Sequence, residues 1–186
     1  MDYLVDRMRA TPADELRVVT RPDKPDVAFH ARRLGARVVE GTPSSVAQSV
    51  RLGVEDLDAD DVVLIGFPDT IWEPLSGFAE LLGALEGNDA VLGLFRTPDL
   101  ARSDVVVAEG ERVRAIAVKP AEPPSELIWG CAAVRRSALE RLAEHDEVGH
   151  LLDDLARAGR VCAVHLSDSW LDIGTPEALA RAQERA

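Results

Sequence analysis

An α/β fold, with helices flanking a mostly parallel mixed sheet, is predicted by three features of the 186-residue sequence. Short valine-rich apolar runs recur along the chain: "LRVVT", "ARVVEG", "VVLIG" and "DAVLGLF". Amphipathic stretches with helical spacing separate them, and glycines, prolines and capping hydroxyls mark the boundaries. A strand covered on both faces reads as a continuous apolar run, so the alternation points to a sheet between helical layers. The length fits one domain, residues 1–186, able to bury roughly two thirds of its unfolded surface.

The elements follow in order. "DYLVDRMRA" has helical spacing at Leu4, Val5 and Met8, and "LRVVT" is a short strand. "DVAFHARRLG" is a helix closed by Gly35, a residue favoured just past a helix end. After the strand "ARVVEG", Thr42 or Ser44 caps a helix over "SSVAQSVRLG" that ends at Gly53. The acidic "VEDLDADD" leads into the strand "VVLIG", followed by the helix "PLSGFAELLGALEG" and the strand "DAVLGLF". From Arg96 the texture changes to two short strands about "AEGER", the pattern of a hairpin. The proline-rich loop "PAEPPSE" then precedes a strand over "LIWGCAAVRR", and Ser137 is placed to cap a helix through Ala143. "GHLLDDLARAG" is a further helix, "RVCAVHLS" a late strand, and a last helix starts near Thr175 and Pro176.

Composition narrows the function classes. With 46% hydrophobic and 29% charged residues the chain is of globular type, and no apolar run approaches the ~20 residues of a membrane span. The opening "MDYLVDRMRATPADEL" interleaves charge with apolar residues, unlike a signal peptide, so the cytosol is the expected address. Thirty-three acidic against twenty-one basic residues, a net charge of −12, disfavour nucleic acid as a partner. A phosphorylated small molecule remains compatible, because a few cations, a helix N-terminus and a divalent ion can hold it locally. Cys131 and Cys162 lie in apolar runs without zinc-like spacing and read as buried thiols. The four histidines form no ligand pattern, and no nucleophile elbow occurs.

In open α/β sheets ligands collect beyond the carboxyl ends of the strands. Asp69 in "GFPDTIWEP" stands at such a place, and Asp172 in "SWLDIGTPE" is a second carboxylate beside a turn. Two carboxylates from different strands can share magnesium, a hard cation that takes oxygen ligands; equally, Asp69 is a turn residue and Asp172 a helix-entry cap. Lys119, ending the hairpin in "IAVKPAEPP", is either a point charge for a phosphate or an exposed strand-end lysine. Ser44, Ser45 and Gln48 in "EGTPSSVAQSV" suit the polar groups of a base or an anion at a helix N-terminus, or simply cap the helix. Trp72, Trp129 and Trp170 each stand beside one of these loops, for stacking or for packing.

Taken in chain order, "DYLVDRM", "GTPSSVAQSV", "GFPDTIWEP", "AVLGLF", "VKPAEPPSELIWG" and "WLDIGTPEAL" resemble the sugar nucleotidyltransferases, in particular the glucose-1-phosphate thymidylyltransferase-like proteins. The resemblance spans nearly the whole chain, and "WLDIGTPE" is its most specific part. It implies a Rossmann-like nucleotidyltransferase fold. It also implies transfer of a nucleotidyl group from a nucleoside triphosphate to a sugar-1-phosphate, giving a nucleotide sugar and pyrophosphate, with Mg2+ as cofactor. By motif match, Asp69 and Asp172 are the magnesium ligands and Lys119 contacts the sugar phosphate. Gly130, with Trp129 beside it, falls where the family approaches the sugar. A homo-oligomeric assembly stays open.

Two departures from the family pattern shape the expectation. Val118 stands where the family carries a glutamate for a sugar hydroxyl. The family's opening strand and glycine-rich triphosphate loop have no counterpart, since Met1 falls where the following helix begins. Turnover by this polypeptide alone is therefore expected to be low, and the alternative is a non-catalytic sugar-phosphate- or nucleotide-binding regulatory subunit. A sheet lacking that strand leaves three outcomes: its neighbours close the gap, another chain fills it, or the gene begins upstream.

Overall fold

The computed structural model describes residues 1–97, 100–168 and 170–183. The apolar runs form a central six-stranded sheet in the spatial order β3 (Val62–Gly66), β8 (Leu127–Arg135), β5 (Ala90–Arg96), β9 (Val161–Ser167), β7 (Arg112–Ala117) and β6 (Val105–Glu109). β5 runs parallel to β9 and antiparallel to β8. The α/β class is as the sequence predicts, but the expected mostly parallel sheet is corrected: among the described residues β5–β9 is the one parallel pairing in the central sheet and the others are antiparallel. The cause is β8, which enters antiparallel between β3 and β5 after the hairpin β6–β7. That hairpin turns at Gly110, whose φ of 60° suits glycine.

Successive side chains of a strand point to opposite faces, so each buried strand feeds two cores. On one face Leu92, Leu94 and Trp129 pack with Val54 of α3 (Val46–Val54) and with Leu151, Leu152 and Leu155 of α6 (Val148–Arg157). On the other face Val91, Phe95 and Ile128 pack with Leu4 of α1 (Asp2–Arg9) and with Phe78 and Leu81 of α4 (Gly77–Gly83). Cys131 is buried within this second core, which pushes its thiol up; Cys162 is only half-buried and donates to the Ala84 carbonyl at 3.4 Å. Among the described residues no helix is long and apolar enough to cross a membrane.

A second, separate ladder joins β1 (Arg17–Thr20) and β2 (Arg37–Glu40), parallel strands linked by α2 (Pro25–Arg33). Its register sets Arg17 opposite Arg37, and the like charges are offset by Glu15, 2.5 Å from Arg17, and by Asp56, 2.8 Å from Arg37. Hydrogen bonds from Arg17 and Arg37 hold the Asp56 carboxyl below the usual carboxylate range.

Among the described residues β1 pairs with β2 alone and β3 with β8 alone, so no backbone ladder joins the two sheets. Helices pack against both. Leu4 of α1 lies over Gly66, where a Cβ would come within 2.5 Å of its methyl, and Asp2 of the same helix meets His30 of α2 at 3.0 Å. On the opposite face α3 packs Gly53 against Val19 and Val54 into the core that holds Ile65.

Three local expectations are corrected. Ser45, not Thr42 or Ser44, caps α3. Ser137 does not cap a helix: α5 (Arg136–Leu139) has no side-chain cap, and residues 140–144 continue as a 3-10 turn. Its first amides are already used, Arg136 donating to the Asp61 carbonyl at 2.8 Å and Ser137 to that of Ala59 at 3.2 Å. Asp172 is not a helix cap either. Thr175 fills that role for α7 (Pro176–Gln183), its hydroxyl accepting from the Ala178 amide at 3.1 Å.

Candidate active site

β3 ends at Gly66, and the chain turns through Phe67 and Pro68 to present Asp69. The turn is closed by the Thr70 hydroxyl, which donates to the Phe67 carbonyl at 2.9 Å. Thr70–Trp72 then form β4, antiparallel to β10 (Trp170–Asp172), with Thr70 opposite Asp172 and Trp72 opposite Trp170. The Ile173 amide donates to the Asp69 carbonyl at 2.8 Å, and the Gly174 amide to the Asp172 carboxylate at 2.7 Å. Segments a hundred residues apart in sequence thereby present both exposed carboxylates at one spot.

Gly174 measures how close they come. A Cβ at that position would lie 3.0 Å from an oxygen of Asp172 and 3.0 Å from an oxygen of Asp69, so twice that distance is the most that separates the two oxygens. The two carboxylates form a cradle that any side chain at residue 174 would begin to fill. Magnesium bonds oxygen at about 2.0–2.1 Å and usually keeps several waters, so two protein carboxylates suffice for it. Among the described residues no group of three or more histidines, cysteines or carboxylates collects into a fuller metal shell.

Lys119 is held by a separate set of partners. Its backbone takes a φ of 43°, unusual for a residue with a Cβ, and its half-exposed ammonium pairs with Glu147 at 2.5 Å. Beneath it sits Asp104, which accepts from the Trp129 indole N–H at 3.3 Å and leaves its other oxygen buried without a hydrogen-bond partner. Burial pushes the Asp104 carboxyl above the usual carboxylate range, and the Trp129 N–H and the Lys119 charge counter only part of that. Nothing in "RSDVVV" marks Asp104 from sequence, and Glu147 is likewise visible only once α6 packs beside the hairpin.

The sign of the Asp104 shift gives a prediction. A carboxyl whose native pKa is raised holds its proton longer when folded, so stability falls as pH rises from the ordinary value near 3.8 through the raised one. Asp104→Asn keeps an acceptor for Trp129 and removes that dependence. The variant is expected to gain stability relative to the parent on going from pH 4 to pH 7, in urea melts at the two values.

Ser44, Ser45 and Gln48 sit at the N-terminus of α3. The Ser45 hydroxyl caps the helix, accepting from the Gln48 amide at 3.2 Å, and the Gln48 side-chain oxygen accepts from the Ser44 amide at 2.9 Å. Gln48 thus serves as the reciprocal half of a capping arrangement. The two serines line a cavity of about 350 Å³ with Thr20, Arg21, Pro43 and Ser49. Asp69 and Asp172 are not among its walls. Trp129 is 7% exposed and faces Phe67 at 5.5 Å between ring centres, a core position with only its N–H committed to Asp104. At Gly130 the space a Cβ would need is taken by the Trp170 ring, 2.0 Å away.

No protein-family model and no curated protein matches the sequence. Solved structures do match. The chain superposes over its whole length on 81% of a protein assigned as a glucose-1-phosphate thymidylyltransferase from Bacillus anthracis, solved in complex with sucrose, with a TM-score of 0.84 at 19% identity. A UDP-glucose pyrophosphorylase complexed with UDP-glucose matches over 98% of this chain and 84% of its own, with a TM-score of 0.81 at 13% identity. An apo UDP-glucose pyrophosphorylase matches over 99% and 86%, with a TM-score of 0.77 at 14% identity. The chain therefore shares the fold of these nucleotidyltransferase structures.

Proposed function

We propose that this chain binds a nucleoside triphosphate and a sugar-1-phosphate and supports nucleotidyl transfer between them, with Asp69 and Asp172 holding Mg2+. The observation that carries the reading is the convergence of the two carboxylates around the empty Cβ position of Gly174. A divalent cation held there neutralises charge on phosphate oxygens. In the reaction a phosphate oxygen of the sugar-1-phosphate bonds to the α-phosphorus, the bond from that phosphorus to the bridging oxygen breaks, and pyrophosphate leaves. No proton need move in that step, so positioning and electrostatics carry the catalysis.

The chain's own groups divide the work. Lys119 supplies a point charge for the sugar phosphate once a phosphate displaces Glu147 from its ammonium. The cavity at the start of α3 offers hydroxyls and helix amides to the nucleotide. Incubation of the purified protein with nucleoside triphosphates, sugar-1-phosphates and Mg2+ tests the reading through pyrophosphate release and nucleotide-sugar formation. Product that requires both substrates supports transfer. Calorimetric binding of both ligands without product assigns the non-catalytic binding role, and binding of neither overturns the proposal.

A further inference from the structure

We infer that Trp170, seated in a notch at Gly130, sets the spacing between Asp69 and Asp172; this rests on reading those carboxylates as a cation-binding pair. The ribbon that carries them has only three residues in each strand, and two-stranded ribbons of that size do not hold themselves. Its anchorage comes from aromatic side chains. The Trp170 ring lies 4.9 Å from Phe95, and the Trp72 ring 5.4 Å from Phe95 and 5.5 Å from Phe78.

Both indoles occupy space that only glycine leaves. A Cβ on Gly130 would stand 2.0 Å from Cζ3 and 2.3 Å from Cη2 of Trp170, and one on Gly77 would stand 2.6 Å from Cζ3 of Trp72. The register explains why Gly130 faces Trp170. Gly93 pairs with Cys131 and Leu94 with Trp129, so Gly130 is the unpaired residue of a bulge in β8. Bulges re-aim a strand locally and recur beside active sites. Here the bulge opens a slot for the indole two residues before Asp172, and Trp170 stands directly opposite Trp72, three residues after Asp69. Gly130 and Trp170 are thus positioning residues: they fix where β10 lies, and β10 fixes the Asp172 carboxylate against Asp69.

The Ile173 amide, bonded to the Asp69 carbonyl at 2.8 Å, reports that spacing without any metal. The experiment follows Ile173 by amide hydrogen exchange and Mn2+ binding by electron paramagnetic resonance. In Gly130→Ala the Ile173 amide is expected to lose protection while β5 and β9 keep theirs, and Mn2+ affinity to fall about 10–100-fold. Combining Gly130→Ala with Trp170→Phe, which removes both clashing ring carbons, is expected to restore most of each. Unchanged protection and affinity in Gly130→Ala overturn the inference, as does a loss that the double variant does not recover. Should Gly130→Ala fail to fold, Trp170→Ala empties the notch, and unaltered Ile173 protection in it overturns the inference equally. If the parent binds no Mn2+ but Ile173 responds as stated, the clamp stands and the cation reading falls. If Mn2+ binding depends on Asp69 yet ignores Gly130, the cation reading stands and the clamp falls.

Discussion

Phe95→Ala is expected to lower the free energy of unfolding by about 3–5 kcal/mol, the range for truncating a buried aromatic residue. The ring is 0% exposed and lies between the Trp72 and Trp170 rings, 5.4 and 4.9 Å away. Alanine removes apolar area and leaves a void against both indoles. Against a total stability of about 5–15 kcal/mol, that loss brings the chain close to its folding threshold. Urea denaturation followed by circular dichroism measures it. Phe29→Ala, at a position 63% exposed, serves as the contrast and is expected to change stability by no more than about 0.5 kcal/mol. A loss at Phe95 no larger than at Phe29 would refute the packing account.

Asp69→Ala is expected to do the reverse, leaving the fold intact while removing function. Asp69 is exposed, and its tie to the rest of the fold is its backbone carbonyl, which alanine retains. Unfolding free energy is therefore expected to stay within about 0.5 kcal/mol of the parent. Mn2+ binding should disappear, and any nucleotidyl transfer should fall by about a hundredfold or more, the scale on which a lost charge-stabilising contact acts. Asp172→Ala should match it in Mn2+ binding while also losing the bond from the Gly174 amide. Gly174→Ala should weaken the ion as well, by setting a methyl 3.0 Å from both carboxylates. Undiminished Mn2+ affinity in Asp69→Ala would remove the basis of the proposed function.

What the sequence discloses depends on how many residues carry the signal. Runs such as "VVLIG" and "DAVLGLF" are long enough to show a buried strand, and β3 and β5 appear where those runs lie. Gly35 closes α2 with a φ of 68°, as a glycine past a helix end should. The β4–β10 ribbon escapes any such reading, because three residues are too few to show a period of two. Yet that pairing is what brings Asp69 to Asp172. The motifs name the two carboxylates, and only tertiary structure shows them meeting at Gly174. Asp104, Glu147 and the Trp170 notch at Gly130 were hidden for the same reason: each depends on contacts between distant segments. Gln48 illustrates the converse, a residue whose motif position suggested base recognition and whose side chain is engaged locally in capping α3.

The separation of the β1–β2 ladder from the central sheet has a consequence for the site. The cavity at the start of α3 is walled on one side by β1, whereas the carboxylates sit at the β4–β10 ribbon, which follows β3 of the central sheet. Among the described residues no backbone ladder joins those sheets, so helix packing, not peptide hydrogen bonds, sets the distance from cavity to carboxylates. Packed helices slide by small shear displacements far more readily than a ladder breaks. Among the described residues the cavity and the carboxylates thus stand on separate ladders, and the packing of α1, α2 and α3 fixes how far apart they lie.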